Sequence, residues 1–242
     1  MRIGNIIMAG ITPAVRGTRN YKSSWDKSDS SGLGEPANIR TVNVLDPIDI
    51  GPKDKKFLQN LVCSGKSSRA HCKFLRQIQV WMDITAPRFW WQEWDTYKIG
   101  TNAQSTSTMN TLLDDDKVFS LDDFSLGDNC SHTVLFIDIC DRLNEIKGFY
   151  KNAADAEERN YWREEAKRLL PESFNQMRSV NVNFEVLSNM YRDRYNHKLP
   201  EWRYFCDRVE LFPYSWLITG RTIANPEILI QDSSMIDVWD VL

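Results

Sequence analysis

Histidine is scarce in this chain: only His71, His132 and His197 occur among 242 residues. With so few imidazoles, a Ser-His-Asp or Cys-His nucleophilic arrangement has few ways to be assembled. The sequence also lacks a GxGxxG turn, a Walker loop, a GxSxG elbow and an HExxH helix. No apolar run reaches the ~18 residues of a membrane-crossing helix. The segment MRIGNIIMAG lacks the basic-then-apolar layout of a secretion signal, so a cytoplasmic chain is expected. The five cysteines (Cys63, Cys72, Cys130, Cys140 and Cys206) are odd in number, scattered, and form no CxxC pair. They read as reduced thiols, and the neighbours Cys63, His71 and Cys72 do not make a zinc pattern, so no metal is expected. A formal net charge of −3 excludes a general coating of DNA or RNA, which needs a basic excess, and leaves room for a local phosphate pocket. An enzyme with this inventory borrows its chemistry from a cofactor.

What is present concentrates between Ile84 and Met109, ITAPRFWWQEWDTYKIGTNAQSTSTM. A strand ends, breaks at Ala86-Pro87, and gives way to a short helix carrying Trp90, Trp91 and Trp94. A hydroxyl run follows with Thr101, Ser105, Thr106, Ser107, Thr108 and Thr111. Two readings fit. Aromatic faces beside many small donors suit a pocket for a flat, polyoxygenated ligand. Composition alone favours the other reading, a core helix followed by a Ser/Thr loop.

Hydrophobic residues at 42% and charged residues at 26% describe an ordinary globular chain whose length allows one large domain or two small ones. A first strand is expected over 3–9, then a long loop from Gly17 to Pro36, with Arg16 and Arg19 three apart at its start. A helix from Pro52 to Ser64 turns Phe57, Leu58, Leu61 and Val62 inward and stops at Gly65. Alternation of Ile78, Val80, Met82 and Ile84 predicts a strand, with Pro87 opening the next helix. Leu112–Asn129 reads as an acidic loop, in which Asp114-Asp115-Asp116 is a solvated turn sooner than a cation site. Helices are expected over Val134–Tyr150, Ala156–Leu170 and Val182–Arg194, and a fourth after Pro200. Few strands with many helices, and no evident linker, predict α+β (mixed α/β) architecture as a single domain over 1–242.

The stretch from Lys167 to Arg203 holds further polar candidates. Arg192 and Arg194 end a helix, where cations are favoured, but two residues apart they point in different directions. Asn181 and Asn183 begin that helix, where capping is their ordinary use. Glu201 and Arg203 flank Trp202, an arrangement that a surface ion pair explains.

Taken together these blocks resemble the flavin-dependent thymidylate synthase family. Ala14-Val15-Arg16 with Arg19 resembles its early A-V-R-x-x-R segment, and Ala86-Pro87, Phe89 and Trp94 resemble the lead into its signature. Leu170-Pro171, Asn181 with Asn183, Tyr191-Arg192 and His197 through Glu201 resemble its L-P … T-V-N-x-R … L-R … H-A-Q-W-E region. The signature RHRxxSxNExSxR falls without gaps on Thr96 to Thr108, and there the chain departs. Thr96, Tyr97 and Lys98 stand for Arg-His-Arg, Thr101 for serine, Ala103 for asparagine, Gln104 for glutamate, Thr106 for serine and Thr108 for the last arginine. Asn183 replaces the arginine of V-N-x-R. Hydroxyls persist while bidentate guanidiniums are lost.

The resemblance implies a central, mostly antiparallel sheet with surrounding helices and a homo-oligomer, a tetramer in the family. It implies FAD contacts at Arg16, Arg19, Thr96, Tyr97, Lys98, Asn181 and Asn183. It places a pyrimidine nucleotide against Thr101, Gln104, Thr106, Thr108, Arg192 and Glu201, with Arg192 as the catalytic-site cation. The implied activity is FAD- and folate-dependent methylation of dUMP, with NADPH and methylenetetrahydrofolate as co-substrates. The alternative is a catalytically lapsed nucleotide-binding protein that keeps the fold. In its charge-poor signature the chain is similar to thymidylate-synthase-like proteins of bacteriophage and bacterial genomes.

Overall fold

The computed structural model of the chain describes residues 1–32, 42–63, 69–113, 116–127 and 130–220, with the side chains of 63 and 69–71 left aside. Gly65, Asp114, Asp115, the expected Cys63 and His71 side chains and the end of the 17–36 loop lie outside the described residues. The architecture is mixed α/β, with eight α-helices among the described residues and a five-stranded sheet. The sheet has the order β3 (Val42–Val44), β1 (Arg2–Ala9), β5 (Gln79–Pro87), β7 (Asn175–Asn183), β6 (Thr101–Ser105). β1 and β3 run parallel, with Ile6 opposite Val42 and Met8 opposite Val44, which makes the sheet mixed. A separate antiparallel pair joins β2 (Ser31–Gly32) to β4 (Ile48–Asp49). The chain divides into two compact units: Met1–Asn5 with Met82–Asn181, and Ile6–Trp81 with the described residues from Val182 onward.

In the first unit, β5 buries Met82, Ile84 and Ala86 on one face and leaves Asp83 and Thr85 partly open on the other. The strand continues through Pro87, one residue past the expected break, and Pro87 is the extended residue before helix α3 (Arg88–Trp94). Helices α4 (Thr133–Lys151) and α5 (Ala156–Leu169) pack together through Leu143, Ile146, Tyr150 and Ala166. Asp155 caps α5 by accepting the Glu158 N–H at 2.8 Å.

One expectation here gains a packing role and the other is corrected. The segment read as an acidic loop from Leu112 supplies Leu112, Leu113, Phe119 and Phe124 to the α4–α5 core. Its charged residues mask that contribution. The helix expected from Val182 begins at Phe184, because 182–183 complete β7 and Asn183 caps helix α6 (Phe184–Arg194).

In the second unit, carboxylates organise the polypeptide around helices α1 (Ile11–Gly17) and α2 (Pro52–Cys63). Asp46 accepts the Gly10 and Thr12 N–H groups at 2.8 and 3.0 Å, which satisfies the start of α1. Gly10 has φ +93°, and a Cβ there would sit 2.2 Å from the Gln77 carbonyl oxygen, so no other residue fits. Asp29 serves α2 in the same way, accepting from Lys53 and Asp54 N–H at 2.8 and 2.9 Å. Its close approach needs the missing side chain of Gly51. The stretch expected as a long loop therefore carries two short 3-10 turns, Asn20–Lys22 and Trp25–Lys27, pinned by side chains.

The strongest of these pins is Asp54, whose side chain is 2% exposed and pairs with Arg19, itself 12% exposed. The Arg19 Nε donates to Asp54 Oδ1 at 2.9 Å, and Ser28 and Ser30 hydroxyls donate to Oδ2. Burial pushes the Asp54 carboxyl up, but the Ser28, Ser30 and Arg19 hydrogen bonds outweigh it and hold the group below its ordinary value. Replacing Asp54 by alanine strands a buried guanidinium and is expected to cost about 3–5 kcal/mol in urea unfolding. The stabilisation is complete above the unfolded carboxyl value of about 3.9 and disappears as pH falls through the lower native value. Asp54→Asn is thus expected to flatten the acid limb of a stability–pH curve.

Candidate functional site

The Trp-rich helix resolves first. Trp90, Trp91 and Trp94 are 0%, 0% and 2% exposed and touch one another edge-on or tilted, with centroids 4.9 to 5.7 Å apart. They form core rather than stacking surface for a ligand, so the reading as a core helix holds and that of an aromatic pocket does not. The Trp91 Nε1 donates to the Gln176 carbonyl at 2.9 Å, and Arg178 lies 4.4 Å above its ring.

The segment after α3 is laid down by its own hydroxyls. Thr96 Oγ1 donates to the Glu93 carbonyl at 2.7 Å, Thr101 Oγ1 to the Tyr97 carbonyl, and Thr106 Oγ1 to the Met177 carbonyl at 3.2 Å. The Thr106 and Tyr97 N–H groups are also taken, by Met177 and Trp94 carbonyls at 3.0 Å each. Lys98 and Gln104 are exposed, and Asn181 is half-buried in β7. The ordered cation beside this segment is one the sequence reading passed over. Arg178 donates to Asp95 Oδ1 at 2.8 Å and is 17% exposed. Its signal was the alternation of β7, in which Arg178 falls between Gln176 and Val180.

Beside Thr106 and Thr108 lies a cleft of about 190 Å³. Leu112, Phe119, Phe174 and Met177 supply apolar wall, and Thr85, Thr106, Thr108, Thr111, Asn175, Lys117 and Asp123 supply polar groups. Lys117 pairs with Asp123, whose second oxygen accepts the Ser120 N–H at 3.0 Å.

The remaining candidates belong to the second unit. Arg16 is exposed on α1, whereas Arg19 is held by Asp54. Asn183 Oδ1 accepts the Val186 N–H at 3.0 Å, which is the capping use. Arg192 is 55% exposed, and among the described residues its guanidinium bonds Asn189 at 3.1 Å and lies 3.5 Å from Asp193, both in its own helix. Glu201 begins helix α7 (Pro200–Glu210), and its Oε2 is buried with no hydrogen-bond partner among the described residues. The expected Glu201–Arg203 pair is replaced by Arg203 donating to the His197 and Lys198 carbonyls at 2.7 and 3.0 Å. Arg194 instead packs 5.0 Å over Trp202 and bonds His197 Nε2 at 3.0 Å.

Burial, reinforced by Asp207 and Glu210, pushes the Cys206 thiol up to about 12, and burial also raises Cys140. Among the described residues no three His, Cys, Asp or Glu side chains gather as a metal group, and no helix is long and apolar enough to cross a membrane.

No protein-family model and no curated protein sequence matches the chain. The fold, however, is similar to that of flavin-dependent thymidylate synthase ThyX from Helicobacter pylori, solved in complex with FAD and dUMP. The TM-score is 0.66 at 17% identity, covering 90% of this chain and 98% of that one. A second structure of that enzyme with FAD and dUMP gives the same values. The chain thus has a flavin-dependent thymidylate synthase-like fold, the mixed α/β class expected from its sequence.

Because Arg192 is exposed and, among the described residues, bonds within its own helix, Arg192→Ala is expected to change the unfolding free energy by no more than about 0.5 kcal/mol. Denaturant titration checks this. It makes any loss of ligand affinity in that variant readable as binding.

Proposed function

We propose that this chain is a thymidylate-synthase-like protein that binds a pyrimidine nucleotide of the dUMP type and does not hold flavin tightly. One observation carries the reading. A fold like that of an enzyme solved with FAD and dUMP is combined with a signature segment in which the Thr96, Thr101 and Thr106 hydroxyl protons already serve backbone carbonyls.

A dinucleotide pyrophosphate concentrates negative charge and is held by guanidinium forks or several N–H and O–H donors. A threonine hydroxyl has one proton. Those of Thr96, Thr101 and Thr106 go to Glu93, Tyr97 and Met177 carbonyls, and Arg19 is bound by Asp54. Arg16 and Lys98 are the candidate cations left exposed. The donor set does not fit FAD. The family resemblance assigns Thr101, Gln104, Thr106, Thr108, Arg192 and Glu201 to the nucleotide and Asn181 to the cofactor.

A second reading is favoured by the extent of the fold likeness: reductive methylation of dUMP with FAD, methylenetetrahydrofolate and NADPH. In both readings the protein is a homo-oligomer, a tetramer by analogy. The exposed apolar residues Val134, Leu135 and Ile137 on α4 support association, in place of the tryptophans, which are buried. Light scattering at micromolar concentration is expected to show an assembly, and a strict monomer overturns this part.

Purified protein is expected to lack a stoichiometric flavin band near about 450 nm and to bind dUMP in calorimetry. Arg192→Ala is expected to weaken that binding by about 2–4 kcal/mol. Changing Thr96 and Lys98 together to arginine is expected to raise FAD affinity. Stoichiometric FAD retained through gel filtration, with dTMP formed from dUMP, would install the second reading instead.

A further inference from the structure

The segment wrapped over the start of α2 presents a surface that the ligand readings above do not use. Tyr21 is 78% exposed and Trp25 45% exposed, although both belong to turns that are pinned in place. The Trp25 Nε1 donates to Asn20 Oδ1 at 2.9 Å, and Ser28, Asp29 and Ser30 tie the following residues to α2. Two large aromatic side chains held outward on an ordered base keep apolar area in water.

The same surface is basic. Lys22, Lys27, Lys53 and Lys56 are exposed, and none of them makes an ion pair among the described residues. Lys53 and Lys56, three apart on α2, share a helix face. They also lie near its N-terminus, where the macrodipole disfavours cations, so helix stability does not account for them. The exposed carboxylates among them are Asp26 and Asp29, while Asp54 is neutralised by Arg19.

Residues 222–242 lie outside the described residues and read TIANPEILIQDSSMIDVWDVL. They carry Glu227, Asp232, Asp237 and Asp240 and no lysine, arginine or histidine. Ile228-Leu229-Ile230, Met235-Ile236 and Val238-Trp239 make the same stretch strongly apolar. It follows helix α8 (Trp216–Thr219), and Lys55 of α2 lies 5.9 Å over the Trp216 ring. At up to about 3.3–3.6 Å per residue, a segment that starts beside α2 has ample length to cover its exposed face. The exposed apolar residues of α4 suit it less, because Asp138 and Asp141 beside them would repel its carboxylates.

We propose that the surface of Tyr21, Lys22, Trp25, Lys27, Lys53 and Lys56 is a docking surface for the acidic, apolar segment 222–242 of the same chain. Its carboxylates meet unpaired ammonium groups, and its apolar residues cover Tyr21 and Trp25. The proposal does not depend on which nucleotide or cofactor the protein binds.

Zero-length carbodiimide coupling of the full chain tests it, because the reagent joins an amine to a carboxylate only where the two touch. Peptides are mapped from the monomer band of a denaturing gel. Amide links from the four carboxylates of 222–242 to Lys22, Lys27, Lys53 or Lys56 are expected, and about fivefold fewer of them in molar salt. Lys53→Glu with Lys56→Glu is expected to lower the links at Lys22 and Lys27 about tenfold. Asp237→Lys with Asp240→Lys, which alters no described residue, is expected to lower the links from Glu227 and Asp232 by a similar factor. The absence of any such link overturns the proposal, as do links spread evenly to Lys151, Lys167 and Lys198. Links confined to the dimer band place the segment on a second copy and overturn docking within the chain. Links that neither pair of charge reversals lowers overturn it as well.

Discussion

The first turn of α3 is where the architecture of the Met82–Asn181 unit is decided. A helix leaves its first N–H groups without internal partners, and here Arg88 and Phe89 donate theirs to the Phe174 and Glu172 carbonyls at 3.0 and 3.1 Å. The segment entering β7 thereby fixes where α3 starts. Trp91 then reaches the Gln176 carbonyl, two residues along the same strand. Each hydrogen bond adds only about 1 kcal/mol net, whereas truncating a buried tryptophan costs about 3–5 kcal/mol. Packing of Trp90, Trp91 and Trp94 therefore supplies the stability, and the three hydrogen bonds supply the register. The Arg88 and Phe89 N–H groups at the start of α3 thereby face carbonyls.

The second unit solves a similar problem with carboxylates. Asp46 and Asp29 are placed by the chain before or after a helix and satisfy that helix's first N–H groups. Asp54 faces the other way and gathers Arg19, Ser28 and Ser30. An arginine that resembles a phosphate contact in sequence is thus a structural cation in the fold. Releasing it for a ligand would leave a nearly inaccessible carboxylate uncompensated, a change worth several kcal/mol. Arg16, three residues earlier and exposed, carries no such obligation.

Elements with strong apolar periodicity were legible in the sequence: β1, β5, α2, α4, α5 and α7 fall within a few residues of expectation. β6 and β7 were not. β6 reads Thr-Asn-Ala-Gln-Ser, ends the sheet and buries almost nothing, so its strand character depends on its neighbour in the sheet rather than on its own pattern. β7 begins with Asn175, Gln176 and Arg178, whose polar ends disguise alternation, although Arg178 covers Trp91. At the candidate site, the capping use of Asn183 was readable from its place before an apolar helical repeat. The pairing of Arg19 with Asp54, 35 residues away, was not, and neither was the meeting of Thr85, Thr108 and Lys117 in one cleft. Local spacing predicts what a residue does within its own element. Long-range partners determine whether a charge remains available.

The exchange of guanidiniums for hydroxyls across Thr96–Thr108 is self-consistent once these partners are known. An arginine in this segment would need a carboxylate or a bound anion to balance its charge. Threonine needs only a carbonyl within reach, and the turn after α3 and the edge of β7 provide three. The hydroxyls therefore close the hairpin-like path from Trp94 to Thr106 without a ligand. Thr96, Thr101 and Thr106 thus spend their hydroxyl protons within the fold, while Lys98 stays exposed. Thr108, beyond the last of these bonds, is left with an uncommitted hydroxyl at the cleft.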